Sequence, residues 1–203
     1  MKFKIVCVSD THNRTPDLPE GDLLIHAGDL TVRGFRIEMY RQLGWLESQR
    51  NKFKYAAMTI GNHDLHAEEH LDDVKDAAAE IGFTLLHNEG LTLPNGLKLW
   101  GSAHTPNYHD WAFMLEPSEI FEAWDKIPKD TDILITHGPP KGILDDSYRG
   151  PGIGCPELLN KVKEINPKVH VFGHAHQGKG ILQIGPTLFV NAATTVTVIE
   201  IDV

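Results

Sequence analysis

The stretch KVHVFGHAH, residues 168–176, joins a short β-rich run to two histidines that follow it closely. Side chains of an extended chain alternate between its two faces, so His174 and His176 are expected to point the same way. Two imidazoles on one side could hold a metal ion, but two surface histidines would show the same pattern. The other β-rich runs of the chain decide between these interpretations.

Four further β-rich runs also end in polar side chains. They are KFKIVCVS (2–9), DLLIHAG (22–28), KYAAMTIG (54–61) and DILITH (132–137). The polar residues at or after the five ends are Asp10 and His12, Asp29, the triplet Asn62, His63 and Asp64, His137, and the pair His174 and His176. Because ligands of α/β proteins bind outside the carboxyl ends of the strands, we expect these side chains to converge on one site.

Helical patterns alternate with these runs, which favours an α/β fold. Apolar residues recur at helical spacing over 35–46, 71–81, 118–127 and 158–165, and Ser118 is the expected cap of the third helix. Asn95-Gly96 and Gly185-Pro186 predict hairpin turns, and the alternating tail TVTVIEID predicts a last strand. Residues 1–203 are therefore predicted to form a single domain, a four-layer α/β/β/α sandwich of two mixed sheets flanked by helices.

The composition limits the classes of function. The chain has 203 residues and a net charge of −9, which argues against a basic surface for nucleic-acid polymers or anionic membranes. Its two cysteines are isolated and offer neither a disulfide framework nor zinc-finger spacing, so a reducing, cytoplasmic setting is expected. The sequence makes no prediction of the oligomeric state.

Seven of the converging side chains form a candidate metal-ligand set. They are Asp10, His12, Asp29, Asn62, His137, His174 and His176. Oxygen and imidazole nitrogen without thiolate suit Mn, Fe, Zn, Co or Ni, and Mn²⁺ is the expected metal for activity in vitro. Seven ligands exceed the needs of one ion with open positions, so the set predicts two divalent ions that share a bridging carboxylate.

The ordered pattern Asp-x-His, Gly-Asp, Gly-Asn-His-Asp, His and Gly-His-x-His resembles that of the calcineurin-like metallophosphoesterases. The resemblance extends from Ser9 to about Thr194. The segments SDTHNR, THGPPKGILD, WGSAHTPNYHDWAF, GHAHQGKG and FVNAAT are similar to the MPPED-type branch of these proteins. Members of that branch are described as metal-dependent cyclic-nucleotide phosphodiesterases.

The resemblance implies a role for each matched residue. Asp10, His12 and His176 would hold the first metal ion, while Asn62, His137 and His174 would hold the second. Asp29 would bridge both ions. A hydroxide between the metals would attack phosphorus, with His63 as the general acid to the leaving oxygen and Asp64 orienting its ring.

Substrate contacts are less clearly marked. Arg33 is a candidate phosphate contact, although it could equally be a solvated residue at the start of a helix. His104 is the best pocket candidate in the segment SAHTPNYHDWAFM, residues 102–114. Aromatic side chains there could stack on a base. Packing within the loop is nevertheless the favoured interpretation, and Trp111 and Phe113 are assigned to the core.

The irregular segment 138–154 is a second candidate wall of the pocket, because long loops in compact domains are often functional. Lys141 and Arg149 are its candidate anion contacts, and Asp145-Asp146 is interpreted as a solvated turn.

The leading hypothesis is a dinuclear-metal-dependent phosphodiesterase that hydrolyses small phosphodiesters such as cyclic nucleotides. A phosphomonoesterase or protein phosphatase would use the same metal site. A nuclease is disfavoured by the acidic charge. A non-catalytic scaffold of the same fold would be expected to lack a metal ligand or the general acid, and this sequence keeps both.

Overall fold

The computed structural model describes residues 2–148, 150 and 152–203. Its strands are β1 (Lys2–Val8), β2 (Gly21–Ala27), β3 (Phe53–Thr59), β4 (Thr84–Leu85), β5 (Glu89–Thr92), β6 (Lys98–Ser102), β7 (Thr105–Pro106), β8 (Met114–Leu115), β9 (Ile133–Thr136), β10 (Val169–Phe172), β11 (Gly180–Ile184), β12 (Thr187–Asn191) and β13 (Val196–Asp202). Its α-helices are α1 (Arg36–Gln49), α2 (Leu65–Glu69), α3 (Leu71–Glu80), α4 (Pro117–Asp125) and α5 (Pro156–Ile165).

The strands form two mixed sheets, as predicted. The first has the order β13-β1-β2-β3-β4, with β1 to β4 parallel and β13 antiparallel at the edge. The second has the order β11-β12-β10-β9-β6-β5, with four parallel strands between antiparallel edges. Strands β7 and β8 form a separate short pair.

The two sheets pack face to face, and helices cover their outer faces. In β1, Ile5 and Cys7 belong to the core between the sheets, while Val6 and Val8 face the opposite way toward α1 and α3. This alternation follows from the two-residue period of a strand, and burial on both faces explains the nearly continuous apolar run. On the other side, α4 and α5 cover the second sheet around Trp124. The predicted four-layer α/β/β/α architecture is confirmed.

The short elements differ most from the sequence-based expectations. Helix α4 begins at Pro117 rather than after Ser118, because proline fits the first helical position, where no backbone donor is needed. The N–H of Glu116 donates to the carboxylate of Glu119 (3.1 Å), which stabilises this start. Helix α2 and the β7–β8 pair are too short to produce a hydrophobic period, so they were not predicted.

The parallel strands place five carboxyl ends at one edge of the sandwich. Backbone hydrogen bonds join these ends within each sheet. The N–H of Asp10 donates to the carbonyl of Gly28, and the N–H of Gly173 donates to the carbonyl of His137 (both 2.9 Å). Between the sheets, the ring of His137 contacts the carbonyl of Ala27. Within the described ranges, the helices are all too short or too polar to cross a membrane.

Candidate metal centre

Tight turns after the strands direct the polar side chains toward one another. Asp10, His12, Asp29 and His174 have φ values of 53°, 44°, 56° and 63°. Residues other than glycine adopt this left-handed region rarely, so the surrounding contacts must hold it. One such contact is the bond from the N–H of His12 to the carbonyl of Asp29 (3.1 Å). Strained turns at several strand ends are typical of a functional site.

One group of potential ligands consists of Asp10, His12 and His176, whose nearest ligand atoms all lie within 4.8 Å of one another. The Oδ1 atom of Asp10 lies 2.9 Å from Nε2 of His176 and 3.9 Å from Nε2 of His12. Asp10 is fully buried and also accepts a hydrogen bond from the backbone N–H of His174 (3.0 Å at Oδ2). These three side chains are the predicted ligands of the first ion.

A second group consists of Asp29, His137 and His174, again within 4.8 Å. The Nε2 atom of His137 lies 3.3 Å from Oδ1 of Asp29 and 2.9 Å from Oδ1 of Asn62. The other carboxylate oxygen of Asp29 lies 3.8 Å from Nε2 of His12, which belongs to the first group. Asp29 therefore faces both groups, as a bridging carboxylate must.

One imidazole of each group, that of His12 and that of His137, is oriented through the nitrogen that faces away from the centre. The Nδ1 atom of His12 lies 2.8 Å from the carbonyl of Thr31, and that of His137 lies 2.9 Å from the carbonyl of Ala27. Each Nδ1 must carry the proton, since a carbonyl only accepts. The Nε2 atom of each ring faces the carboxylates. Metal-binding histidines are commonly fixed in this way, so the donor set fits divalent metals.

The electrostatics of the centre also favour bound cations. Although burial alone would raise the pKa of Asp29, the neighbouring His137 holds it below its ordinary value. Burial opposes protonation of His137, but the charge and hydrogen bond of Asp29 raise its pKa to about 9. Burial lowers the pKa of His174 to about 4. Buried carboxylates need nearby positive charge, which metal ions would supply.

His63 lies beside the two groups. Its backbone N–H donates to Oδ1 of Asp29 (2.8 Å), and its Nε2 lies 4.0 Å from Oδ2 of the same carboxylate. The Nδ1 atom donates to the carbonyl of Val32 (2.7 Å). The ring packs against Trp111, with the ring centroids 4.2 Å apart. His63 is thus held at the edge of the centre with one nitrogen directed inward.

The prediction that Asp64 orients the ring of His63 is wrong, since Val32 makes that contact. The buried carboxylate of Asp64 accepts hydrogen bonds from the backbone N–H groups of Gly61 (2.9 Å), Leu30 (3.3 Å) and Thr31 (3.0 Å). Burial and the nearby charge of Asp29 raise its pKa to about 6. Asp64 therefore joins the two loops that follow β2 and β3.

A cleft of about 500 Å³ opens above the centre. It is lined by Asp29, Asn62, His63, Pro106, Tyr108, His109, Trp111, Ser147, Tyr148, Ile153, His174 and His176. The segment 102–114 contributes to this cleft, but through other residues than predicted. Trp111 lines the cleft instead of the core, whereas Phe113 is buried as expected.

The two predicted substrate contacts lie elsewhere. His104 packs inward, with Nδ1 3.1 Å from the carbonyl of Phe113 and Nε2 3.0 Å from the amide nitrogen of Asn88. Its assignment to the pocket is wrong because both ring nitrogens are already used in packing this loop. Arg33 is exposed, and its backbone N–H donates to Glu38 (3.0 Å). A contact between Arg33 and a phosphate stays a prediction.

Three residues of the segment 138–154 line the cleft, namely Ser147, Tyr148 and Ile153. The interpretation of Asp145 as a solvated turn residue is wrong, because its buried carboxylate accepts from the N–H groups of Gly142 (3.0 Å) and Gly154 (3.1 Å). The ammonium of Lys141 donates to the carbonyl of Gly152, within the same loop. Arg149 lies outside the described residues. The sequence signal that could have indicated the buried role of Asp145 is the presence of Gly142 and Gly154 on either side of it.

Known proteins are similar to this chain in sequence and in fold. The family model described as "Calcineurin-like phosphoesterase" matches residues 3–178. The chain is 38% identical over 205 residues to a UPF0046 protein of Caenorhabditis elegans, covering 94% of this chain and 69% of that protein. It is 36% identical over 215 residues to metallophosphoesterase domain-containing protein 1 of Homo sapiens, covering 94% and 65%.

These relatives are longer than the chain. A 41% identical match over 187 residues to a probable rhamnogalacturonate lyase C of Emericella nidulans covers 87% of this chain but only 17% of that protein.

Among solved structures, a crystal structure of a Thermus thermophilus protein has a TM-score of 0.67, 15% identity, and coverage of 94% of this chain and 89% of that one. At this identity the likeness shows a shared fold.

Proposed function

We propose a function from one premise, that the chain belongs to the calcineurin-like phosphoesterase family, which depends on two metal ions. Membership supports a metal-dependent phosphoesterase. Within that class we propose a phosphodiesterase that hydrolyses small phosphodiesters such as cyclic nucleotides. The observation that carries the proposal is the carboxylate of Asp29, whose two oxygens face different groups of histidines.

Two divalent ions fit the residues of the centre. Asp10, His12 and His176 would hold one ion, and Asn62, His137 and His174 would hold the other, with Asp29 shared. When bound, such ions supply positive charge to the phosphoryl oxygens and activate a water molecule. Mn²⁺ is the metal proposed for activity in vitro, and Fe, Zn, Co and Ni suit the same donors.

The protein's own part in the reaction centres on His63. Its Nδ1 proton is committed to the carbonyl of Val32, so Nε2 is the atom that would deliver a proton to the leaving oxygen. The contact with Trp111 limits the rotation of the ring. Asp64 holds the loops that carry His63 and Asp29 in place.

The proposed substrate class rests on the resemblance to the MPPED-type branch and on the size of the cleft. The volume of the cleft suits a small molecule. The negative net charge of the chain disfavours nucleic-acid polymers and anionic membranes as partners. A cytoplasmic location is part of the proposal, in keeping with two free, buried cysteines.

Turnover of matched substrates tests this function. Metal-stripped protein reconstituted with Mn²⁺ would be assayed on bis-p-nitrophenyl phosphate against p-nitrophenyl phosphate. A second set compares 2′,3′- and 3′,5′-cyclic AMP with AMP. Diester hydrolysis that disappears in Asp29→Ala would support the proposal. Preference for monoesters would favour a phosphomonoesterase or protein phosphatase, and inactivity with two bound metals would favour a scaffold.

A further inference from the structure

Two tyrosines at the mouth of the cleft are unusually exposed. The chain has four tyrosines, and the two that line this cleft, Tyr148 and Tyr108, expose 81% and 69% of their surface. Tyr40 is 36% exposed beside Arg36, and Tyr55 is half-buried. The most exposed tyrosines of the chain thus lie together beside the metal centre, although they come from loops about forty positions apart in sequence.

The loops that carry these rings are anchored below them. In the first loop, the N–H of Asn107 donates to the carbonyl of Leu115 (2.9 Å), and the N–H of Ala112 donates to Asn62 (3.2 Å). In the second loop, Asp145 ties together backbone groups on both sides of Tyr148. These anchor points are thus held while the two rings stay exposed to a ligand in the cleft.

We propose that Tyr148, assisted by Tyr108, is a specificity-determining contact for phosphate esters that carry a planar aromatic group, such as a nucleobase. The inference rests on the proposed function, since the phosphate would be held at the metal centre of the same cleft. An aromatic face offers stacking surface without the negative charge that would repel a phosphate ester. Ile153 adds apolar surface to the same wall.

The test compares two ligands with the same sugar and phosphate, one with a base at C1′ and the other with a hydroxyl group there. Equilibrium binding of AMP and of ribose 5-phosphate would be measured by calorimetry on Mn²⁺-loaded protein, in the wild type, Tyr148→Leu and the matched control Tyr148→Phe. We expect the base to tighten binding roughly tenfold in the wild type and in Tyr148→Phe. Tyr148→Leu should lose that advantage and bind ribose 5-phosphate as before.

Three outcomes would overturn the inference. AMP and ribose 5-phosphate could bind equally well to the wild type, Tyr148→Leu could leave the base advantage intact, or AMP could fail to bind the metal-loaded protein. Because these readouts need no turnover, they are independent of the test of the proposed reaction. A phosphodiesterase that binds both ligands equally would retain its function and refute only the role of Tyr148.

Discussion

The metal ligands at the floor of the cleft and the aromatic residues Tyr108, Trp111 and Tyr148 at its rim differ in how far they are buried. At the floor, Asp29 is buried, contacts His137 and accepts a hydrogen bond from the backbone N–H of His63. At the rim, the ring of Tyr148 is largely exposed above a loop that Asp145 braces. Groups that act on the reacting atoms gain from being fixed in advance. An exposed ring at the rim, in contrast, can be covered by one substrate and left uncovered by another. The difference predicts that substitutions at the floor affect all substrates and that those at the rim discriminate among them.

Asp29→Ala should have the largest effect, because it removes the carboxylate shared by both groups of ligands. We expect loss of both metal ions and a fall in turnover of roughly 10³-fold or more on every substrate. Elemental analysis of the purified protein measures the metals. Asp146→Ala, at an exposed position in the segment 138–154, is the matched control and should keep both ions. Two ions per chain in Asp29→Ala would refute the bridging role.

His63→Asn should separate chemistry from metal binding at the floor. The variant should keep its metals and lose about 10²- to 10⁴-fold in turnover for esters with poor leaving groups, since these need a proton most. A series of phosphodiesters with leaving groups of graded pKa would measure the dependence. An equal loss across the series would contradict the role of general acid.

Asp64→Asn tests the support beneath the floor. The amide would place an NH2 group where one carboxylate oxygen now accepts, so either the hydrogen bonds from Gly61 and Leu30 to Oδ2 or the hydrogen bond from Thr31 to Oδ1 would be lost. We expect the free energy of unfolding to fall by about 1–3 kcal/mol, as measured in urea with metals removed. Asp146→Asn supplies the exposed comparison. Equal stability of the two variants would show that Asp64 does not brace these loops.

Trp111→Leu should show the smallest effect of the four, because Trp111 joins the two regions by contacting His63 from the rim. With the ring less restricted, turnover should fall by about tenfold, again mainly for poor leaving groups, while metal content stays unchanged. Trp111→Phe retains an aromatic contact and should recover part of the loss. A change confined to KM would assign Trp111 to substrate binding alone.

The floor was predictable from the sequence because its chemistry is local to strand ends. Asp10 and Asp29 follow apolar runs that pair in parallel, and the facing sheet brings His137 to them. The same runs predicted two sheets with helices outside. Predicting the two sheets and the residues at their strand ends requires only the hydrophobic periodicity and the topology.

The rim was not predictable because its geometry depends on tertiary contacts. Nothing in the order of residues distinguishes Trp111, which lines the cleft, from His104, which packs against Asn88. The orientation of His63 by Val32 likewise involves a backbone carbonyl, which carries no signal of residue type. The buried role of Asp145 depends on amides that converge only when the loop closes.

The ligand set also joins the two halves of the sandwich. The side chains that follow strands of the first sheet are Asp10, His12, Asp29 and Asn62, and those that follow the second are His137, His174 and His176. Each proposed ion would therefore link the two sheets through its ligands. By thermodynamic linkage, a ligand that binds only the folded chain adds about 2.7 kcal/mol of stability when present at a hundred times its Kd. Metal supply would then govern the lifetime of the protein against unfolding and proteolysis, and a chelator should lower its Tm.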